Sequence, residues 1–531
     1  MGTSTYSLPQ WKPSHNPWAV ALTVTLATFM EVLDTSIANV ALPHMAGSLG
    51  ASQEEATWVL TSYLVASAII LPISGWLSNR FGRKRFYMTC VVVFTICSLL
   101  CGLAPTLPFL IVARILQGLG GGGLAPSEQA ILADCFPIEK RGQAFAVYGM
   151  AVVFAPAIGP TFGGWITDNF NWHWIFFINI PVGLLSLYLS NKMVEDPPHL
   201  IERKKAYSKF KVDFMGLGLI AVGVGLLEFT LDKGQEKDWF GDAGIRASFI
   251  AAMVLLVWFV IWEWQHPDPI VDIRLLKNRN FGTAVLLQLL LGMVLFGTTV
   301  LIPQYLQTLL GYSAEQAGMV LSPAGFVMMA VMMVAGLAIR RIDARKLAAM
   351  GYLVTAFGVY NLTRLDLTTS FGAATTARVI QIIALPFIFI PISTLNYVGV
   401  PLEKTNQISS LSNFARNIGG SAGTALLTTF ISRTAQTHMQ ALGANLAPNS
   451  IGLNLYTAQV RGQLLKGGVP PGQATSTAIG MTWRQMQLQA TMLAYHNAFV
   501  VLAAIILCLV PLPFIMRLPK KREQAAEPVG H

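Results

Sequence analysis

Three ionisable residues lie in stretches too apolar to give them solvent: Glu31 and Asp34 in the stretch that begins near residue 17, and Arg114 in the one that begins near residue 107. A charge at the centre of a membrane-spanning helix costs about 3 kcal/mol or more, so such residues pair, face a water-filled cavity or titrate. Counted from an outer end near residue 42, Asp34 lies about 12 Å deep, and Arg114, counted from residue 107, about 10 Å deep. The two can therefore meet. A cavity that opens and closes around a carboxylate changes its solvation and its neighbours, and with them its hold on a proton. Proton coupling by Asp34 is one reading; a permanent structural Asp34–Arg114 pair is the other. Glu31, at i,i+3 from Asp34, could share the proton or merely line the cavity.

Other residues join these by position. Arg416 sits about ten residues inside a late apolar segment, near the midplane; it could hold an anionic substrate or act as a buried partner to polar neighbours. With Gln117, Asn39 and Asn413 it is assigned to a substrate cavity. Arg378 and Glu128 are placed near helix ends, where long side chains reach the interface. Gly118 to Gly123 satisfies G-x-G-x-x-G, but no strand precedes it, so close helix packing is the reading rather than a nucleotide loop. Pro156, Gly159, Pro160, Gly163 and Gly164 favour a kinked helix against a close neighbour. The eight histidines are dispersed and there is no H-E-x-x-H. No catalytic residue, metal site or cofactor is expected, and the chain is not read as an enzyme.

The elements that hold these residues follow from composition. Of 531 residues, 53% are hydrophobic and 12% charged, and mean hydropathy is +0.55. Soluble domains carry about 25% charged residues. The bilayer is therefore the solvent, and the expected class is an all-α integral membrane protein. Five cysteines scattered through apolar runs read as small core residues, not a disulfide framework. The net charge of +10 does not suggest nucleic acid, because the cations sit in short segments between apolar stretches. About fourteen segments reach the roughly 20 residues needed to span; they begin near residues 17, 52, 86, 107, 143, 172, 213, 245, 281, 315, 347, 370, 406 and 490. With the N-terminus inside, Lys and Arg are roughly threefold more frequent in the inner loops. Arg80, Arg83, Lys84, Arg85, Lys140, Arg141, Arg203 to Lys205, Arg340, Arg341, Arg345, Lys346 and Arg517 to Arg522 carry the bias, which puts both termini in the cytoplasm. The basic run Arg203 to Lys211 reads as a solvated inner loop beside anionic lipid.

The chain also repeats itself. Ala113-Arg114-Ile115-Leu116-Gln117 recurs as Ala377-Arg378-Val379-Ile380-Gln381. Phe154-Ala155, Ile158-Gly159 and Gly163 recur as Phe414-Ala415, Ile418-Gly419 and Gly423, and the basic turn from Gly75 recurs, degenerate, from Gly336. One offset of about 260 residues fits all three. Two six-helix units with two helices inserted between them are implied, and parallel repeats around a central path are a transporter architecture. The expected organisation is a tail at 1–16, a first bundle at 17–192, a loop with two inserted helices at 193–280, a second bundle at 281–516 and a tail at 517–531. Within the second bundle, 434–489 is an outer loop. Leu453, Tyr456, Val460 and Leu464 follow helical spacing before a break at Gly467, Gly468, Pro470 and Pro471, so this loop is expected to hold two short amphipathic helices.

These residues carry a family resemblance. The turn Gly75 to Arg85 resembles the loop signature between the second and third spans of the major facilitator superfamily, and Arg114 to Gly123 resembles its arginine motif. Ala155 to Pro160 with Gly163 and Gly164 resembles the antiporter motif. Leu33-Asp34-Thr35-Ser36 through Pro43 resembles the first-span motif of fourteen-spanner drug:proton antiporters of the EmrB/QacA type, and Leu231 to Gly234 with Asp238-Trp239-Phe240 is similar to a later stretch of EmrB-like members. The resemblance implies the major facilitator fold, proton-driven export, a proton seal at Pro156, Gly159, Pro160, Gly163 and Gly164, and a gating loop of Gly75, Asn79, Arg80, Gly82, Arg83 and Lys84. The family usually has an acid where this chain has Asn79, which puts the associated salt-bridge latch in question.

The leading expectation is a proton-coupled exporter of amphiphilic or hydrophobic compounds, driven by the proton gradient and residing in the inner cell membrane. The resemblance adds a periplasmic membrane-fusion adaptor and an outer-membrane channel as partners of segment 434–489; the other reading makes that segment a cap over the transporter's own mouth. A dedicated exporter of one metabolite or siderophore, and a membrane scaffold or sensor without transport, are the alternatives.

Overall fold

The computed structural model describes residues 13–198, 213–267, 269–401, 404–444 and 451–518. The basic run Arg203 to Lys211 and most of both tails lie outside the described residues. Among those described there are helices and no strand. The first half is α1 (Pro17–Leu49), α2 (Gln53–Phe81), α3 (Arg83–Gly102), α4 (Leu107–Gly121), α5 (Leu124–Cys135), α6 (Ile138–Asn169), α7 (Trp174–Phe177) and α8 (Asn179–Met193). Two inserted helices follow, α9 (Phe214–Lys233) and α10 (Ala243–Gln265). The second half is α11 (Arg279–Leu309), α12 (Ala314–Ala338), α13 (Ala344–Asn361), α14 (Phe371–Ile382), α15 (Pro386–Leu395), α16 (Thr405–Ala444), α17 (Ile451–Lys466) and α18 (Pro471–Leu509).

Local signals set the ends. Asn16 caps α1 through its side chain, Pro17 fills a position that needs no donor, and Gly50 closes the helix at φ 64. Ser52 with Glu55, and Ser313 with Gln316, form capping boxes on α2 and α12. Gly82, at φ 92, turns the chain between α2 and α3. At Asp343 the Arg345 side chain and backbone hold the carboxyl below its usual range.

Among the described residues, twelve segments are long and apolar enough to cross a membrane, with α4–α5, α7–α8 and α14–α15 each counting as one. Two more helices pack as crossings without meeting that measure. α13 begins with Arg345 and Lys346 in its first turn, and α16 buries Asn406, Gln407, Ser409, Ser410, Ser412, Asn413 and Arg416 against protein rather than lipid. The fourteen expected segments are thus all helical. Three of them differ in detail. The fifth crossing begins at Ile138, not near 143, and the fourth and twelfth crossings are each broken, at Gly122–Gly123 and Ile383–Leu385, in equivalent places of the repeat. The second helix of the outer loop is not separate: it is the start of α18, continuous into the last crossing. α16 likewise runs on to Ala444, leaving α17 to pack against α18.

Both described ends lie on one face: Ser14 bonds Glu195 there, and Arg279 Nε donates to Ile515 O at 2.6 Å. This is called the terminus face. On it the halves touch. α6 packs along the length of α12, with Ser322 donating to Ala157 O at 2.8 Å, and α2 packs on the first turns of α16. The inserted helix α9 lies beside α2 and α16 near the opposite face, where Thr61 bonds Asp232 at 2.5 Å and Trp239 Nε1 donates to Thr429 at 2.8 Å. α10 is the most lipid-exposed crossing.

Candidate functional site

Between the halves lies a cavity of about 190 Å³. From the first half it is lined by Thr28, Glu31, Val32 and Thr35 of α1, by Tyr63, Ser67 and Leu71 of α2, and by Tyr148 and Pro156 of α6; from the second half by Phe296, Thr299, Arg378, Asn413 and Arg416. The α1 residues recur at three- and four-residue steps and form one helix face. Glu31 is the one carboxylate in this lining, and it accepts a hydrogen bond from Tyr63 Oη at 3.1 Å. Arg416 donates to Tyr148 Oη at 3.0 Å and to Asn413 Oδ1 at 2.5 Å, with its guanidinium 5.6 Å from the Phe389 ring. Asn413 also donates to Gln129 across the interface at 2.8 Å. Aromatic faces and a few polar groups around an apolar volume suit an amphiphile.

Asp34 is elsewhere. It is 2% exposed and closed off from the cavity, enclosed within the first half. Arg114 Nη1 donates to its Oδ2 at 2.6 Å, while Asn179 Nδ2 and Gln117 Nε2 donate to Oδ1 at 2.6 and 3.2 Å. Arg114 further donates to Gln117 Oε1 at 2.8 Å and to Val59 O at 3.1 Å, and stacks 4.3 Å from the Tyr63 ring. The expected contact of Asp34 with Arg114 therefore exists, but as an enclosed ion pair in which both carboxylate oxygens are bonded and Arg114 Nη2 is left without a partner. Gln117 belongs to this cluster and not to the substrate cavity. Asn39 is corrected too: it continues the cavity stripe of α1 past the cavity's end and is exposed.

The second half repeats the cluster with one change. Arg378 Nη1 donates to Gln381 Oε1 at 2.5 Å, as Arg114 does to Gln117, and Gln381 Nε2 approaches Thr298 Oγ1 at 3.4 Å, as Gln117 approaches Asp34. Thr298 thus occupies the place of Asp34. Arg378 is 4% exposed, so although α14 ends four residues later at Ile382 its side chain stays inside the protein and does not reach the interface expected for it. Glu128 is also fully buried and takes a 2.5 Å hydrogen bond from Thr25, inside the first half rather than at the interface with lipid.

The motif glycines are packing devices. A Cβ on Gly159 would fall 2.3 Å from Ser36 Oγ and one on Gly163 2.8 Å from Ile37, so α6 lies tight on α1. Gly419 and Gly423 seat α16 on α11 in the same way. Pro160 faces Gly318 of α12 and Pro156 lines the cavity, whereas Gly164 meets nothing. The Gly118 to Gly123 run packs α4 against α2 and α3, with Tyr63 O 2.5 Å from a Cβ on Gly118 and Phe94 N 2.8 Å from one on Gly120.

In the turn from Gly75, a Cβ would stand 3.0 Å from Asn406 O and Gln407 Cα, so backbone meets backbone across the halves. Asn406 donates to Asn79 Oδ1 at 2.6 Å, and Ser410 donates to Leu71 O at 2.5 Å. Asn79 therefore joins the halves by an amide pair where a salt bridge is usual. Arg83 is buried and bonds Asp134 at 2.5 Å and Ala130 O at 2.8 Å; Lys84 Nζ donates to Asn191 O at 2.6 Å, and Arg80 lies 5.5 Å from the Trp76 ring. These three act within the first half.

Tyr63, Tyr148, Asn179 and Thr298 escape a reading of the sequence alone. The repeat carries the signal for Thr298, since position 34 displaced by the 264 residues that separate Arg114 from Arg378 is 298.

Comparison with known proteins agrees with this geometry. Residues 24–424 match the Major Facilitator Superfamily. The multidrug export protein EmrB of Escherichia coli K12 is 34% identical over 96% of this chain and 98% of its own length; EmrB of Haemophilus influenzae is 40% identical over 79% and 82%. The fatty acid resistance protein FarB of Neisseria gonorrhoeae is 35% identical over 96% and 98%. Among solved structures, the proton:xylose symporter XylE matches with a TM-score of 0.58 at 17% identity, covering 93% of this chain and 96% of that one. Two repeated six-helix bundles around a central cavity, in a chain that crosses the membrane many times, and a superfamily match over most of its length lead to one conclusion: the protein is a membrane transporter that belongs to the Major Facilitator Superfamily.

Proposed function

We propose that the chain is a proton-coupled efflux permease that exports amphiphilic compounds by alternating access, with Glu31 as the carboxylate that takes up and gives back the proton. The supporting observation is the cavity between the halves, apolar over most of its lining, in which Glu31 is the single carboxylate. Proton and substrate meet there. Asp34, sealed with Arg114, Gln117 and Asn179, then serves to fix α1 against α4 and α8 so that Glu31 keeps its face. The halves pack through Gly75, Asn79 and Ser410 on the terminus face, which corresponds to the state closed toward the cytoplasm if the charge bias orients the chain. The relatives named for multidrug export and fatty acid resistance favour broad export over a single-metabolite carrier. The proton gradient is the sole energy source in this reading, and no cofactor enters it.

The inner cell membrane is the proposed location, with both termini cytoplasmic. A periplasmic adaptor of the membrane-fusion type, leading to an outer-membrane channel, is the proposed partner of segment 434–489, where α17 and α18 expose Leu455, Tyr456, Ile479, Met481 and Trp483. The test is purified protein in liposomes under an imposed pH gradient: uphill movement of ethidium in exchange for protons supports the reading. Absence of coupled movement for every compound in a broad panel overturns it in favour of a scaffold.

A further inference from the structure

The two halves treat their equivalent arginines differently. Arg114 has Asp34 at 2.6 Å. Arg378, in the same register, has Thr298 at 3.3 Å, Gln381 at 2.5 Å and Thr299 at 3.2 Å, all neutral, and no carboxylate among the described residues at ion-pairing distance. Its Nε, whose counterpart on Arg114 donates to Val59 O, has no partner. A guanidinium cannot shed its charge in a protein. It is therefore a permanent cation within the membrane, 4% exposed and lining the cavity, with its counter-charge missing.

We propose that Arg378 is the seat for an anionic head group, a carboxylate, sulfonate or phosphate, on an amphiphilic substrate; the assignment rests on the export reading of the same cavity. The donor arithmetic fits. Nη1 is used by Thr298 and Gln381, and Nη2 gives one hydrogen to Thr299, so Nε–H and the second Nη2–H remain. Nε and Nη2 share one edge of the guanidinium fork, the edge that takes two oxygens of an oxyanion side by side. Phe296, Tyr63 and Tyr148 in the same lining supply aromatic surface for the rest of the molecule. Glu31 does not fill this seat: no ion pair joins it to Arg378 among the described residues, and it accepts from Tyr63 Oη instead.

The change from Asp34 to Thr298 also supplies the test. Thr298→Asp would rebuild in the second half the ion pair of the first, at Nη1, and neutralise the cation that holds the anion. The full-length protein in nanodiscs is titrated with dansyl-phenylalanine, an aromatic carboxylate, and with ethidium, an aromatic cation. Thr298→Asp is expected to weaken the anion by at least about tenfold relative to the cation; Arg378→Gln should do the same, and Thr298→Asn, similar in size and uncharged, should leave the ratio within about twofold. Unchanged anion affinity in Thr298→Asp, or in Arg378→Gln should the former fail to fold, overturns the assignment. So does equal weakening by Thr298→Asn, or a wild-type protein with no saturable anion binding. Because binding needs no gradient, a protein that binds in this pattern but moves nothing in liposomes would retain the seat and lose the export reading. Driven ethidium export with anion affinity indifferent to both residues would do the reverse.

Discussion

Asp34 and Arg114 are joined at 2.6 Å in a closed cluster, while Glu31, one turn earlier on the same helix, faces the cavity. Helix geometry separates their roles. Three residues advance α1 by about 300°, which leaves Asp34 off the stripe of Thr28, Glu31, Val32 and Thr35 and turns it toward α4 and α8. Two carboxylates within one turn therefore have different surroundings, and the roles proposed for them can be told apart by substitution.

Glu31→Gln keeps the shape and the hydrogen bond with Tyr63 but cannot release a proton. Uphill transport under a pH gradient should fall to background, while substrate exchange down its own gradient persists at a rate within about threefold of wild type, because only the driven half of the cycle needs deprotonation. Parallel efflux and exchange assays in liposomes decide this, and driven export at the wild-type rate would count against Glu31 as the carrier.

Asp34→Asn should act on stability first. Breaking an enclosed pair by removing one partner leaves Arg114 charged and uncompensated, at a cost of about 3–5 kcal/mol. The thermal midpoint in detergent should drop well below that of Glu31→Gln. Adding Arg114→Gln to Asp34→Asn should recover part of the loss, since the uncompensated charge is then gone; strictly additive losses would mean the pair is not coupled. Transport per folded molecule should survive in whatever fraction inserts.

How much of this is legible in the sequence depends on what each signal encodes. The crossings and the two-fold repeat can be read from apolar length and from Arg114 recurring as Arg378, and the contact of Asp34 with Arg114 follows from matched depth along two helices. Depth along a helix is not direction around it. Nothing in the spacing says which turn of α1 faces the partner half, so depth alone does not show that the cavity is lined by Glu31 and not by Asp34, Asn39 or Gln117. Arg378 is buried because α14 packs on α12 and α13, which position along one helix does not encode. By contrast, α16 is expected from the segment near residue 406 although it falls short of a crossing by mean hydropathy, because its polar side chains pair across the interface instead of meeting lipid.

Gly75 sets a third expectation. Its missing side chain lets α2 reach the backbone of Asn406 and Gln407, and a Cβ there already stands at 3.0 Å. Gly75→Val adds bulk that backbone atoms cannot yield to, so the terminus face should be pried open. Ser410→Cys, buried in that contact in the wild-type background, should become reactive toward a membrane-impermeant maleimide from the terminus face at least about fivefold faster when Gly75→Val is added. Unchanged labelling would mean that this contact does not hold the closed state.

The last expectation concerns the chain between the crossings α16 and α18. Antiparallel neighbours need only a few linking residues, yet here α16 continues to Ala444, α17 spans Ile451–Lys466, and α18 starts at Pro471 well before its apolar part. Gly468, at φ 87, makes the reversal between α17 and α18. These helices expose Leu455, Tyr456, Ile479, Met481 and Trp483, an apolar surface of the kind that partners bind. Their bases also flank a groove of about 490 Å³ lined by Gln304, Thr428, Gln436, Gln487 and Tyr495, which is where a cap over the mouth would act. The two roles separate in one variant, with residues 434–489 replaced by a Gly/Ser turn. If the segment docks an adaptor, proton-driven transport in liposomes is retained within about twofold, whereas co-purification of the adaptor and drug resistance in cells are lost. If liposome transport fails while a soluble copy of the segment still binds the adaptor, the helices are a lid as well as a dock, because a dock alone leaves the transport cycle of the isolated permease untouched.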